Sequence, residues 1–545
     1  MDRRQFMVGS LGAGSLLMLP PLARSSTPAY TLPFINAQDM APLERLSAFG
    51  GSSVIEGDVH DEAHEIFWNK EGYLLKKGGI PQSSSQYDVI IVGGGMAGLS
   101  AAYNLRGLKV LLLEGQPRLG GNSKSQQSGK SFTSQGAAYL AAFEPGDEFD
   151  QLYTDIGVKR LLRNTGSEAE PVTMNGKLIP DFWSGATDPS RSADFKRAHD
   201  ILRDVFENKL PELPLWDNSA SMRTYLNSLD QMTFTNWLKR EIGNVHPHVM
   251  ELITLYCWSS FGGSPAELSA AQGLYFFASD TQGGANVLPG GNGRVAHAMY
   301  EKMKTRGNVT FRSNAFAIDV RSLNGKAQVC FKNESGVLET ATAKKCIVAS
   351  PKKVAKFVVD KLSAGQHKAM DDIDYRAYLV ANIFLNKKVA SPGYDVYSLQ
   401  GSNPTNDYED SKKRCMADML FADWASKDNV DQTILTLYLP LPYDMAQQYL
   451  FVDGLYEKYK DRVKTSIAPH LSNMGLSWSN VQGMRLVRYG HSVPLAKAGQ
   501  IANGTFERAS ADIDGCIFFA NQDNWGNPCF ETSYGSALQA ARKAR

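Results

Sequence analysis

The chain lacks any Cys-x-x-Cys pair. Its six cysteines (Cys257, Cys330, Cys346, Cys415, Cys516, Cys529) are widely spaced over 545 residues, so a zinc knuckle, a thioredoxin-like site and a c-type haem attachment have no support. Nine histidines form no His-Glu-x-x-His or similar cluster, and no metal is expected. Charge of one sign is missing too. The formal net charge is +1 with the basic residues scattered, which removes the electrostatic argument for a nucleic-acid or anionic-membrane partner. No Gly-x-Ser-x-Gly elbow announces a serine nucleophile, and there is no internal repeat or long low-complexity tract. Beyond these absences, a composition of 43% hydrophobic and 21% charged residues is that of an ordinary globular protein. The length calls for two or more domains.

The start of the chain is informative. Met1-Asp2-Arg3-Arg4-Gln5-Phe6-Met7 places an arginine pair before a short apolar run at 8–19, which Pro20-Pro21-Leu22-Ala23 closes. That run is shorter than the roughly 20 residues needed to cross a bilayer. The layout is that of a removable export signal over 1–25, and the paired arginines point to the twin-arginine export machinery. An uncleaved amphipathic start is the alternative. No other segment reaches membrane-spanning length, so the mature protein is expected to be soluble, without a stable membrane span, and located in the periplasm.

Organisation changes sharply after a turn-rich extension at 26–85. Tyr87-Asp88-Val89-Ile90-Ile91-Val92 is a β-branched apolar run, as a buried parallel strand requires. Gly93-Gly94-Gly95-Met96-Ala97-Gly98, a helical stretch and the second strand Lys109-Val110-Leu111-Leu112-Leu113-Glu114 follow, which makes a β-turn-α-β unit. The expected fold class is α/β: a Rossmann-like nucleotide-binding domain in three pieces (86–189, 273–354, 494–545). A helical insertion at 190–272 and further substrate-domain sequence at 355–493 would form an inserted α+β domain.

In Gly-x-Gly-x-x-Gly each glycine has a task. Gly93 permits the tight turn, Gly95 lets the backbone approach a pyrophosphate, and Gly98 lets the helix pack close to the strand. The pyrophosphate would sit at the helix N-terminus beside Met96 and Ala97. Glu114 ends the second strand where a carboxylate grips the adenosine ribose. This fingerprint alone does not separate FAD from NAD.

The residues that follow do. Glu114-Gly115-Gln116-Pro117-Arg118-Leu119-Gly120-Gly121-Asn122-Ser123 resembles the flavin-containing amine oxidase superfamily. Three further segments match it in order: Leu288-Pro289-Gly290-Gly291-Asn292-Gly293-Arg294, Ala315-Phe316-Ala317-Ile318-Asp319, and Phe519-Ala520-Asn521-Gln522-Asp523 with Glu531-Thr532-Ser533-Tyr534. The resemblance runs from about Tyr87 to the C-terminus. It implies FAD as cofactor, held by Gly115, Arg118, Gly120, Gly121, Asn122 and Ser123 beside the glycine loop. The Ala315 backbone would meet adenine, and Asn521, Asp523, Glu531, Thr532 and Ser533 would lie around the flavin. The usual Gly-Gly-Arg is Gly120-Gly121-Asn122 here, and Phe-Ala-Gly-Asp/Glu is Phe519-Ala520-Asn521-Gln522. The Asn-x-Asp form, the strand Leu379-Val380-Ala381-Asn382 and the export signal look closest to spermidine dehydrogenase-like proteins. Many amine oxidases hold a water against the flavin with a strand lysine, whereas Leu379 or Val380 stands at that position here. This favours a dehydrogenase that passes electrons to an unidentified acceptor over a fast oxidase.

The resemblance therefore implies oxidation of an amine, with polyamines as the narrower candidate class, by hydride transfer to flavin N5. The alternatives are a desaturase or isomerase of a hydrophobic polyene or lipid, which predicts an apolar tunnel, and an accessory flavoprotein without small-molecule turnover. His491, in Arg488-Tyr489-Gly490-His491-Ser492-Val493-Pro494, is the candidate pocket base because its unperturbed pKa suits that role; it would equally cap a turn. Tyr489 and Trp525 are candidate walls of the site or packed core aromatics. Asp523 would meet either a cationic substrate or the ribityl chain, and Glu531 either FAD or the start of the closing helix.

Overall fold

The computed structural model describes residues 55–58, 61–128, 130–166, 170–210, 219–427 and 430–545. The expected export signal at 1–25 and the extension up to residue 54 lie outside the described residues. Two large sheets organise the rest.

The first sheet grows from Ser85–Val92, which pairs in parallel with Val110–Leu113 on one side and Leu338–Val348 on the other. Val309–Arg312 and Ile517–Phe519 extend it in parallel at the two flanks. Lys326–Lys332 and Phe316–Leu323 continue it as antiparallel strands. The β-branched run is buried on both faces, as a parallel sheet demands. Val89 and Ile91 pack with helices Met96–Asn104, Gly293–Arg306 and Phe530–Ala544, whereas Ile90 and Val92 pack on the opposite face with Ala315, Met370 and Phe506.

The second sheet runs in the order Ile55–Gly57, Val481–Leu495, Asp374–Leu385, Ile434–Leu441, Asp418–Phe421, Asp395–Leu399, Val172–Met174, Lys177–Ile179. Three of its strands come from places the sequence did not suggest. Val172–Met174 and Lys177–Ile179 fall in the stretch allotted to the nucleotide-binding domain, and Ile55–Gly57 brings the extension onto the sheet in parallel register with Leu486, Val487 and Arg488. Side chains alternate across a strand, and the alternation gives this sheet two characters. Leu379, Ala381, Ile383, Leu435, Leu437, Leu439 and Leu486 face helix Leu455–Asn473 in an aliphatic core. The intervening Tyr378, Val380, Tyr438, Val487 and Tyr489 share the other face.

Helices Ser192–Asn208, Ala220–Asp230, Phe234–Glu241, Pro247–Phe261 and Ala270–Gly283 fill the stretch read as helical and build their own core around Phe195, Phe234, Trp258 and Phe277. All six cysteines are unpaired. Among the described residues no helix is long and apolar enough to cross a membrane.

Candidate active site

A cavity of about 1470 Å³ runs from the glycine loop to the tyrosine face of the second sheet. Single small-molecule sites usually measure about 300–1,000 Å³, so this one has room for a dinucleotide and a substrate together.

At the nucleotide end Gly93, Gly95, Met96, Ala97, Glu114, Gly115 and Ala315 line the wall. Gly93 has φ +109°, and a Cβ there would stand 2.8 Å from the Ala349 carbonyl oxygen. Gly98 is not on the wall. A Cβ on it would lie 1.9 Å from the Gly93 carbonyl oxygen, so its role is the close approach of helix to strand. Gly95 caps helix Met96–Asn104 with no side-chain hydrogen bond, which leaves the first N–H groups free for an anion. The Glu114 carboxylate accepts from the Gly94 and Gln116 N–H groups, each at 2.7 Å. Burial still raises its pKa against those bonds. Lys124, which the sequence reading missed, also lines the cavity near Glu114 and Asp58, and burial lowers its pKa; an anionic pyrophosphate would restore its charge. A bare cradle, an uncapped helix start and a desolvated cation together fit the diphosphate of FAD.

Further along, Gly120, Gly121, Asn122, Ser123, Asn521 and Ser533 line the same wall. Gly95 and Gly120 form an isolated parallel bridge, which brings the two glycine clusters together, and Asn122 Nδ2 donates to the Ser492 carbonyl at 2.9 Å. The start of helix Phe530–Ala544 contributes Phe530 as well.

Several expected contacts are arranged otherwise. Arg118 is not on the wall. It donates to Gln135 Oε1 at 2.8 Å and to Glu56 Oε2 at 3.1 Å, and Glu56 also pairs with the buried Arg485. The extension therefore takes up the guanidinium. Asp523 is withdrawn into a fully buried pair with Lys352. Trp525 lies off the cavity because its indole packs against Gly535 and its carbonyl accepts from Gln272 Nε2 at 2.9 Å. Glu531 accepts from the Ala141 N–H at 2.8 Å, tying the closing helix to strand Tyr139–Ala141, and the Thr532 N–H is held by the capping Cys529 Sγ.

Tyr489 and His491 line the cavity. The Tyr489 hydroxyl donates to the Gln135 carbonyl at 2.7 Å. Burial, helped by Lys353 and His64, pushes the His491 pKa down to about 4, which leaves a neutral imidazole at pH 7.

The far end was not legible from sequence. Tyr139, Tyr256, Tyr378, Tyr394, Tyr397 and Tyr438 converge there with Trp424 and Phe276. Three carboxyls open into this aromatic chamber: Glu170, Asp280 and Asp395. Burial pushes Glu170 and Asp280 up to about 7. Glu170 accepts from Trp183 Nε1 at 2.9 Å, Asp280 from the Tyr256 hydroxyl, and Asp395 from the Tyr139 hydroxyl at 2.6 Å. They come from a loop, a helix and a strand far apart in the chain, so no local motif marks them.

Residues 96–543 match the sequence model of the flavin-containing amine oxidoreductases. The chain belongs to this family. It is thus an FAD-dependent oxidoreductase, in keeping with the fit of the nucleotide end. Oxidoreductase PigB of Serratia sp. (strain ATCC 39006) is 22% identical over 515 residues, 84% of this chain and 75% of that protein. A probable flavin-containing monoamine oxidase A of Dictyostelium discoideum is 26% identical over 290 residues, covering 50% of this chain and 59% of its own length. Among solved structures, a putrescine oxidase variant superposes with a TM-score of 0.60 at 16% identity, over 84% of this chain and 98% of that one. Cyclohexylamine oxidase from Brevibacterium oxydans IH-35A gives 0.59 at 14% identity over the same shares. These likenesses establish the shared α/β fold.

Proposed function

We propose that this family member oxidises a polyamine or related cationic amine in the periplasm and passes the electrons to an acceptor other than oxygen. The observation that carries the substrate reading is the set of three carboxyls in an aromatic chamber. Carboxyls pushed up to about 7 by burial are relieved when a cation enters, because an opposite charge favours their ionised form. Tyrosine faces attract the same ammonium groups. A polyene or lipid substrate would bring these acids no counter-charge and leave their ionised forms disfavoured. Carboxyls on separate walls suit a substrate with more than one positive charge, and the likeness of Asn521-Gln522-Asp523 to spermidine dehydrogenase-like sequences favours the same class.

Gly93, Gly95, the Met96 helix start and Glu114 would hold the adenosine and diphosphate of FAD, and Gly120, Gly121, Asn122 and Ser533 would lie along its flavin half. Bound FAD supplies the two-electron acceptor for the carbon–hydrogen bond next to nitrogen. The protein's own residues orient the amine, exclude water and take up its proton. Among them, His491 is a neutral imidazole, its pKa lowered by burial and by Lys353, His64 and Lys356. The acceptor reading is supported by the strand Asp374–Leu385. Val380 reaches the cavity while Leu379 turns into the aliphatic core, so neither brings an amino group to the site.

Anaerobic titration of the purified yellow protein with spermidine, putrescine and aromatic amines tests the substrate. Bleaching by the polyamines first is expected, and no bleaching by any amine overturns the reading. Reoxidation of the reduced protein by air, compared with a quinone or dye, tests the acceptor. Cell fractionation of the natural chain beside an Arg3→Lys, Arg4→Lys variant tests export.

A further inference from the structure

Asp395 does not stand alone in the chamber wall. On the neighbouring antiparallel strand, where Tyr397 pairs with Asp418, the Asp418 carboxyl reaches it and the two share a hydrogen bond. Asp418 is 0% exposed. The Ser259 hydroxyl stands beside Asp418 as well, and as an acid Asp418 donates to Asp395. Two carboxyls in contact share one proton because both cannot ionise. Asp395 lines the cavity; its Oδ2 accepts from the Tyr139 hydroxyl at 2.6 Å, and its Oδ1, fully buried, is the oxygen left to receive the Asp418 proton.

We propose that Asp395 is the proton acceptor for the substrate ammonium, held in place by the Tyr139 hydroxyl and by an Asp418 that keeps its own proton. The inference rests on the amine reading above. The step is a proton transfer. The ammonium N–H bond breaks and an O–H bond forms at Asp395 Oδ2, the carboxylate oxygen not held by Asp418. An ammonium and a singly charged acid pair become a neutral amine and a neutral pair, and nothing is oxidised or reduced. The free amine then has the lone pair that loss of hydride from the adjacent carbon requires.

The surroundings suit this role. Tyr139, Tyr378, Tyr394, Tyr397 and Tyr438 face the pair, and each is held in its neutral phenol form chiefly by burial. The other charged neighbours are acids. Asp280 acts on Asp395 and Asp395 acts on Glu170, in both cases opposing ionisation. Beyond Tyr394, Trp424 carries the Arg163 guanidinium 3.5 Å over its ring. Burial raises both aspartates, and the Asp395 charge adds to the rise at Asp418. The pair therefore changes charge near neutrality, where a substrate proton can be taken and later released.

The test is the pH dependence of anaerobic flavin reduction by the amine that bleaches the protein. The natural chain should show an acidic limb near neutral pH. Asp395→Asn, whose side chain keeps the shape, should slow reduction by roughly 100-fold or more and abolish that limb while the bound-flavin spectrum is unchanged. Asp418→Asn keeps a donor toward Asp395 and should retain the limb. Asp418→Leu removes the donor and should move the limb to higher pH by about one unit. An Asp395→Asn protein that keeps the limb, or that shows weaker amine binding with an unchanged maximal rate, overturns the proposal and leaves Asp395 as a cation anchor only. If no amine reduces the flavin of the natural chain at any pH, the amine reading itself fails and this inference fails with it.

Discussion

Lys352 and Asp523 form an ion pair in which Nζ donates to Oδ1 at 2.6 Å and neither side chain has exposed surface. The Lys352 N–H donates to the other oxygen at 2.7 Å, and the Tyr375 hydroxyl joins it there. Three segments are tied at one point: helix Lys352–Val358, strand Asp374–Leu385 and the turn after Ile517–Phe519. Burial lowers the Lys352 pKa while Asp523 holds the charge in place. Asp523 is therefore a brace that joins the two sheets.

Breaking such a pair strands a charge. Lys352→Met is expected to cost about 3–5 kcal/mol because an uncompensated carboxylate remains buried. The double variant Lys352→Met, Asp523→Leu should recover most of that loss, since apolar replacement of both partners is often tolerated. Urea midpoints of the two variants check this. Equal stability of the single variant and the natural chain would refute the brace.

Gly98 offers a sharper steric test. With a backbone oxygen 1.9 Å from the position of its absent Cβ, Gly98→Ala must push helix Met96–Asn104 off its strand. Loss of bound flavin, measured as the ratio of visible to ultraviolet absorbance, is the expected result. Gly107→Ala, where a Cβ would meet nothing, should retain the flavin if it folds with φ +79°.

Stability should depend on pH through the chamber. Glu170 and Asp280 keep their protons in the folded protein up to about pH 7, whereas an unfolded chain releases them near pH 4. Between those values the folded state binds more protons, so these groups make stability fall as pH rises from about 4 to about 7. The Tm of the flavin-loaded protein without substrate should decline across that window. A Glu170→Gln, Asp280→Asn variant should decline less. A saturating polyamine that is not turned over should raise Tm most at the alkaline end.

His491 gives a contrasting expectation. Because burial pushes its pKa down to about 4, it is a weak base at pH 7, poorly matched to taking a proton from an ammonium. His491→Gln is expected to leave the neutral-pH rate within about 10-fold, below the range typical of a lost general base. A larger loss, with the flavin still bound, would return His491 to the list of bases.

Much of this protein was readable along the chain. The alternation of strand and helix around Gly93, Gly95 and Gly98, the carboxylate of Glu114 and the matching segments near both ends carry their signal in local spacing. Such spacing survives without knowledge of what packs where, so the α/β fold, the flavin and the family were legible. Only the folded chain decided the rest. Period-2 alternation marks Tyr378, Tyr438 and Tyr489 as sharing a face of their strands, but not which face meets a cavity. That choice was made by helix Leu455–Asn473 covering the aliphatic side. Likewise Asp523 and Trp525 sit in a flavin-like motif yet turn away, because Lys352 and Gly535 offered them closer partners. Glu170, Asp280 and Asp395 lie more than 100 residues from one another and become a site only through tertiary folding. Desolvation is what gives them their chemistry, and desolvation is a property of packing that no short stretch of sequence contains.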